Sequence, residues 1–88
     1  MRSVYISLPS VKVVQNFVAQ ISELKGDFDI KDGVYVLDAR SLMGILSLDL
    51  SKPIHLVINK DTKETMDKID RFIIDNDTKV VKKRKKKV

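Results

Sequence analysis

The spacing of apolar residues changes several times along this 88-residue chain, and this pattern constrains the fold more than any other feature. Residues 3–8 alternate in character, which is the period of a half-buried β-strand. The apolar side of this strand consists of Val4, Ile6 and Leu8. From Ser10 the spacing becomes helical, and Gly26 is expected to end the helix. The helical stripe comprises Val11, Val14, Phe17, Val18, Ile21 and Leu24.

The middle of the chain predicts a hairpin, a short helix and another strand. Strands over 28–30 and 34–37 are joined by Asp32-Gly33, a typical hairpin turn. A short helix is expected over 42–48. Ser41 precedes it in the position of an N-cap residue. Ile54 to Ile58 is expected to form the fourth strand.

A last helix is predicted after residue 60. Asp61 and Glu64 resemble a capping box for this helix. Its inward side is predicted to contain Met66, Ile69, Phe72 and Ile73. The resulting order is strand, helix, strand, strand, short helix, strand, helix. This order favours an α+β domain in which the helices cover one face of a four-stranded, mainly antiparallel sheet.

Charge is distributed unevenly and divides the chain into a domain, residues 1–78, and a basic tail, residues 79–88. The tail KVVKKRKKKV contains seven of the 17 Lys and Arg residues and none of the 12 acidic ones, so the domain is mildly acidic. A lysine run without aromatic residues is usually solvated and disordered. Alternatively, it attracts nucleic acid or another anionic surface without sequence specificity. The basic isoelectric point therefore describes the tail and not the domain.

Several classes of protein are not indicated. The chain has no cysteine and no apolar stretch long enough for a membrane span, and its N-terminus does not resemble a secretory signal. No glycine-rich phosphate loop or paired nucleophile and base is evident. The acids around residues 27–38 are explained by the hairpin, so neither a metal site nor a cofactor is expected. We expect a cytoplasmic protein that is not an enzyme.

The segment SLMGILSLDLSK, which follows the strand VYVLD, resembles the corresponding segment of the HPr family. These are small phosphocarrier proteins of the bacterial sugar phosphotransferase system. The resemblance covers residues 3–75 in element order and includes VVQNFV on the first helix. It implies an HPr-like open-faced β-sandwich with the order βαββαβα, in which three helices cover four antiparallel strands.

The phosphocarrier activity of the family does not carry over to this chain. Family members carry a His-Ala-Arg-Pro motif where the first helix begins. Aligning Pro9 with the motif proline places Ile6 at the histidine and Leu8 at the arginine. The only histidine, His55, belongs to the fourth strand, where a partly exposed position facing away from the helices is expected. The chain is in this respect similar to the catabolite-repression HPr, which also lacks the histidine.

Ser41 corresponds to the regulatory serine that HPr kinase phosphorylates in many Gram-positive bacteria. A phosphoserine at an N-cap brings negative charge next to unpaired backbone amides, which can accommodate it. Equally, Ser41 can be an unmodified cap. The resemblance further implies that the neighbouring residues bind protein partners of the phosphotransferase or catabolite-control type. The residues expected to do so are Arg40, Leu42, Met43 and Ile45.

Two functions therefore remain open. The first is a regulatory or adaptor protein of sugar transport, switched through Ser41 by HPr kinase. The second is a binding module that has kept the fold and contacts nucleic acid or another anionic surface through its tail. A monomer or a weak dimer is expected in either case.

Overall fold

The computed structural model describes residues 1–76, which form one antiparallel sheet and three helices. In chain order the elements are β1 (Arg2–Ile6), α1 (Val11–Ser22), β2 (Phe28–Asp32), β3 (Tyr35–Asp38), α2 (Leu42–Leu46), β4 (Ile54–Ile58), α3 (Lys63–Ile69), a 3₁₀ turn (Asp70–Phe72) and β5 (Ile73–Asn76). The α+β class is confirmed. The predicted basic tail lies outside the described residues. Within those residues, no helix combines the length and the hydrophobicity needed to cross a membrane.

The sheet has five strands in the order β3-β2-β4-β1-β5, one more than the sequence predicts. All neighbouring strands are antiparallel. Leu56 at the centre of β4 lies opposite Val4 of β1 on one side and Ile30 of β2 on the other. The edges of the sheet are therefore β3 and β5.

The helices and the inner sheet face enclose one hydrophobic core. The buried residues of the three central strands are Val4, Ile6, Phe28, Ile30, Ile54, Leu56 and Ile58. The helices contribute Val14, Phe17, Ile21, Ile45 and Ile69 to the same cluster. Tyr5 and His55 occupy the alternate strand positions and are only partly buried. They lie on the other face of the sheet, which we call the open face.

Helix α1 begins as predicted and ends earlier than predicted. The side chain of Ser10 accepts a hydrogen bond from the backbone N–H of Val13 at 3.3 Å and so caps the helix. The helix ends at Ser22, four residues before Gly26. Val11, which the sequence assigned to the buried stripe, is 52% exposed because it occupies the first helical turn on the outer side. The stripe is consequently narrower than predicted.

Helix α3 is capped by Thr62, so the predicted capping box of Asp61 and Glu64 is wrong. The hydroxyl of Thr62 accepts a hydrogen bond from the backbone N–H of Thr65 at 3.2 Å. Asp61 instead lies beside the chain start, with its Oδ2 3.7 Å from the Nε of Arg2. The helix begins one residue later than the box requires, because a threonine hydroxyl serves the same capping role.

The end of the domain differs most from the prediction. Helix α3 ends at Ile69, and the chain passes through the 3₁₀ turn into β5. Ile73 therefore lies in a strand opposite Ile6, and not on a helix. The backbone N–H of Ser7 also bonds to the carbonyl of Phe72 at 2.9 Å. This strand satisfies backbone groups along β1 that would otherwise form an open edge.

Candidate functional site

Ser41 lies between β3 and α2 and caps α2 as predicted. Its Oγ accepts a hydrogen bond from the backbone N–H of Gly44 at 3.2 Å. Its carbonyl accepts from the backbone N–H of Ile45 at 3.0 Å, and its own N–H donates to the carbonyl of Asp38 at 2.9 Å. The residue is exposed. The hydroxyl is thus held at the helix start while remaining accessible from solvent.

Gly44 is explained by close packing around this cap. A Cβ at position 44 would lie 2.9 Å from the Oγ of Ser41 and 3.2 Å from the Cδ1 of Leu37. Glycine inside a helix costs about 1 kcal/mol relative to alanine. The missing side chain allows the capping hydroxyl and Leu37 of β3 to approach α2 from two sides. A larger residue at position 44 would therefore have to displace the Ser41 hydroxyl or the Leu37 side chain.

The apolar residues of α2 divide between the core and the surface. Met43 is 76% exposed, whereas Leu42 and Leu46 are partly buried. Ile45 is fully buried in the core, so its predicted role as a partner-binding residue is corrected to a packing role. A short helix on a sheet has one inward side, and Ile45 occupies it. We call the exposed Ser41 and Met43, together with the partly buried Leu42, the α2 surface.

Arg40 is engaged within the domain, in contrast to its predicted role as a partner contact. Its Nη2 donates hydrogen bonds to the carbonyls of Leu24 at 2.8 Å and Gly26 at 3.0 Å. The guanidinium carbon lies 5.0 Å from the centre of the Phe28 ring. Arg40 therefore connects the loop after α1 to the start of α2.

The positions aligned with the family's histidine and arginine cannot present side chains to solvent. Ile6 and Leu8 are both fully buried. His55 lies in the central strand β4 on the open face, where the sequence placed it. Its ring stacks on that of Tyr5, with centroids 4.8 Å apart and an angle of 19° between the planes.

A cleft of about 350 Å³ lies at one end of the open face. No short motif in the sequence predicts this cleft. Tyr5 and His55 form part of its wall, and charged residues of both signs surround it: Lys31, Lys52, Asp32 and Asp49. Hydrogen bonds from the hydroxyl and the backbone N–H of Ser51 lower the pKa of Asp49. Since the lining residues come from separate strands and loops, only the sheet register brings them together. The mixed charge favours neither anions nor cations.

The comparisons and the search for metal ligands add no further site. Among residues 1–76, no three His, Cys, Asp or Glu side chains are grouped so that they could hold a metal ion. Comparison of the chain with family models, with curated proteins and with solved structures found no match.

Proposed function

We propose that this chain is an HPr-like regulatory or adaptor protein of the bacterial sugar phosphotransferase system, switched by phosphorylation at Ser41. The observation that carries this proposal is the exposed Ser41 hydroxyl at the start of α2, two positions before Met43, which is 76% exposed. A modifiable group and an exposed apolar residue thus lie at the same end of one short helix. Cytoplasmic protein partners of the catabolite-control type would recognise the charge of a phosphorylated Ser41 and contact Leu42 and Met43.

The electrostatics of the cap support a switch that leaves the domain folded. A phosphoserine carries a charge of about −1.5 to −2 at neutral pH, and the first amides of a helix favour negative charge. The backbone N–H of Gly44 already points at the Ser41 Oγ. Because the Nη2 of Arg40 already donates to the carbonyls of Leu24 and Gly26, the added charge would be offered mainly to a partner.

A role as phosphocarrier is not supported by the residues at the start of α1. Phosphoryl transfer through histidine needs an accessible imidazole near an anion-stabilising group. Ile6 and Leu8 have no such chemistry and are buried. His55 stacks on Tyr5 across the open face, on the opposite side of the sheet from the helices.

Phosphorylation can be measured by mass spectrometry of the intact chain after incubation with HPr kinase and ATP. The expected result is one phosphoryl group, transferred from the γ-position of ATP to the Ser41 Oγ with release of ADP and a proton. Ser41→Ala should abolish this species. Ser47→Ala is the matched control because Ser47 is exposed directly after the last residue of the same helix, and it should retain the species.

A parallel incubation with enzyme I and phosphoenolpyruvate is expected to leave the chain unmodified. A phosphohistidine in that reaction would contradict the regulatory assignment. Transfer to a serine other than Ser41 would contradict the proposed switch. Circular dichroism of Ser41→Ala is the folding control, since loss of the cap is expected to cost about 1 kcal/mol.

The distribution of charge supports a second candidate function, binding to an anionic polymer through the tail. Residues 79–88 contain seven basic residues and no acidic one. If this function is the main one, a chain ending at Thr78 loses binding to RNA of mixed sequence. The full chain should then show binding that weakens steeply with salt, because each neutralised phosphate releases counterions. Fluorescence anisotropy with labelled RNA at several salt concentrations measures both effects, and equal binding by the two chains would exclude the tail.

A further inference from the structure

The β3 edge of the sheet exposes a row of apolar residues. Val34 is 92% exposed, Tyr35 71% and Val36 61%. No charged residue lies between Asp32 and Asp38 in the sequence. Edge strands commonly carry lysine, proline or a bulge that prevents pairing with another chain. Among the described residues, those of β3 include none of these protective features.

The β5 edge is different. Its register against β1 shifts between Tyr5 and Ile6, which indicates a bulge. It also carries Asp75, and the chain continues into the basic tail. A bulge and nearby charges are the features that discourage pairing at an edge. Each edge strand carries one aspartate, Asp38 in β3 and Asp75 in β5, so the bulge is the feature that distinguishes them, and β3 is the edge with a regular register.

The backbone hydrogen bonds of the hairpin determine which groups of β3 face outward. The N–H of Ala39 donates to the carbonyl of Phe28 at 2.8 Å, and Leu37 lies opposite Ile30. In an antiparallel pair, every second residue bonds to the partner strand. Leu37 and Tyr35 thus bond to β2, while the N–H and C=O of Val36 point away from the sheet.

We propose that the β3 edge is a self-association surface, at which β3 pairs antiparallel with β3 of a second copy and Val36 lies opposite Val36 of that copy. This register satisfies the outward N–H and C=O of both Val36 residues reciprocally. It places Tyr35 opposite Leu37 of the second copy. The result is a continuous ten-stranded sheet with all helices on the same side.

Charge and polarity select this register over its neighbours. In this dimer the helices of both copies lie on the same side of the joined sheet. When the residue at the centre of the pairing moves by one position along β3, every residue therefore changes its partner by two positions. Centring on Tyr35 would set Asp32 opposite Asp38 of the second copy, and like charges directly opposite are destabilising. Centring on Leu37 would set Val36 opposite the carboxylate of Asp38. Centring on Val36 avoids facing carboxylates and keeps Val36 away from Asp38. It places Asp38 opposite Val34, which belongs to the turn before β3.

The interface between the two copies is small, so we expect a weak dimer. A four-residue strand buries less surface than the total of about 1,200–2,000 Å² found in stable complexes. The dimer should therefore form at high protein concentration and dissociate on dilution. The pairing is independent of Ser41 and of the proposed function.

Sedimentation equilibrium of the full chain over a hundredfold range of concentration tests the proposal. The weight-average mass should rise from that of a monomer towards that of a dimer. Val36→Lys should raise the dissociation constant at least about tenfold, because a lysine on an edge opposes pairing. Ile74→Lys is the matched control, since Ile74 is 55% exposed on the other edge, and it should leave the constant unchanged. Circular dichroism verifies that each variant is folded.

A monomer at all concentrations would overturn the proposal, as would a dimer disrupted by Ile74→Lys and unaffected by Val36→Lys. Binding of an extended peptide at Val36 by a chain that stays monomeric would assign the edge to a different partner, which also overturns self-pairing.

The register can be tested by crosslinking, because the chain has no cysteine of its own. Hydrogen-bonded residues in an antiparallel pair have Cα atoms about 5.5 Å apart, which is within the range of a disulfide. Val36→Cys should form a covalent dimer under mild oxidation several-fold faster than Tyr35→Cys. In the proposed register, the two cysteines at position 35 do not lie opposite each other. Equal rates would indicate random collision and contradict the register.

Discussion

Replacing Ile45 by alanine is expected to destabilise the domain by about 2–5 kcal/mol, which is the range for truncation of a large buried aliphatic residue. Ile45 is fully buried and belongs to the core cluster beneath α2. The loss includes the transfer of the side chain from water and the cavity that remains. Thermal or urea unfolding followed by circular dichroism measures the change. Because small domains have about 5–15 kcal/mol of stability in total, the variant should unfold at a clearly lower temperature.

Met43→Ala is the matched control for Ile45, since the two residues belong to the same five-residue helix. Met43 is 76% exposed, so its truncation should change the free energy of unfolding by less than about 0.5 kcal/mol. A small effect of Ile45→Ala, equal to that of Met43→Ala, would show that Ile45 is a surface residue. Under the proposed function, Met43→Ala weakens partner binding while the domain stays intact.

Replacing Arg40 by alanine is expected to cost about 2–3 kcal/mol of stability. The substitution removes two charge-assisted hydrogen bonds, to the carbonyls of Leu24 and Gly26, and the contact with the Phe28 ring. Hydrogen bonds that involve a charged group contribute about 1.5–3 kcal/mol each, and partial exposure of Arg40 reduces this sum. Urea unfolding measures the difference from the unsubstituted chain.

Arg71 offers a control for the ring contact alone. Its guanidinium carbon also lies 5.0 Å from an aromatic ring, that of Phe72, and the residue is exposed. Arg71→Ala should cost no more than about 1 kcal/mol, as expected for a cation–π contact at the surface. If Arg40→Ala costs as little as Arg71→Ala, the hydrogen bonds to the loop after α1 contribute nothing, and Arg40 is available for a partner after all.

Much of the candidate site can be predicted from the sequence, because the residues that indicate it are close together in the chain. Ser41 is recognisable as a cap since a hydroxyl residue precedes an apolar helical run, and the cap is confirmed. The absence of a histidine near the start of α1 is evident directly. In contrast, the roles of Arg40 and Ile45 depend on what lies beneath α2. Ile45 and Met43 are both apolar residues of one short helix, and neither spacing nor composition distinguishes the inward residue from the outward one.

Tertiary contacts also explain where the fold prediction is wrong. Phe72 and Ile73 have the spacing of an inward helical face after Ile69, so the pattern alone favours a continued helix. The chain instead forms β5, because pairing with β1 satisfies backbone groups along that strand. Likewise, the stacking of Tyr5 on His55 requires that β1 and β4 be neighbours, although 50 positions separate the two residues in the chain.

The sequence by itself determined the α+β class, the buried sides of the central strands, the cap at Ser41 and the concentration of basic residues after position 78. These properties follow from the spacing of apolar residues, from local hydrogen bonding and from charge. Only the tertiary structure decided the fifth strand, the buried position of Ile45, the bonds of Arg40 and the exposure of the β3 edge. These four features depend on which elements become neighbours in the fold. A backbone or side-chain group forms hydrogen bonds and contacts with the residues that pack next to it, and those residues are distant in the sequence.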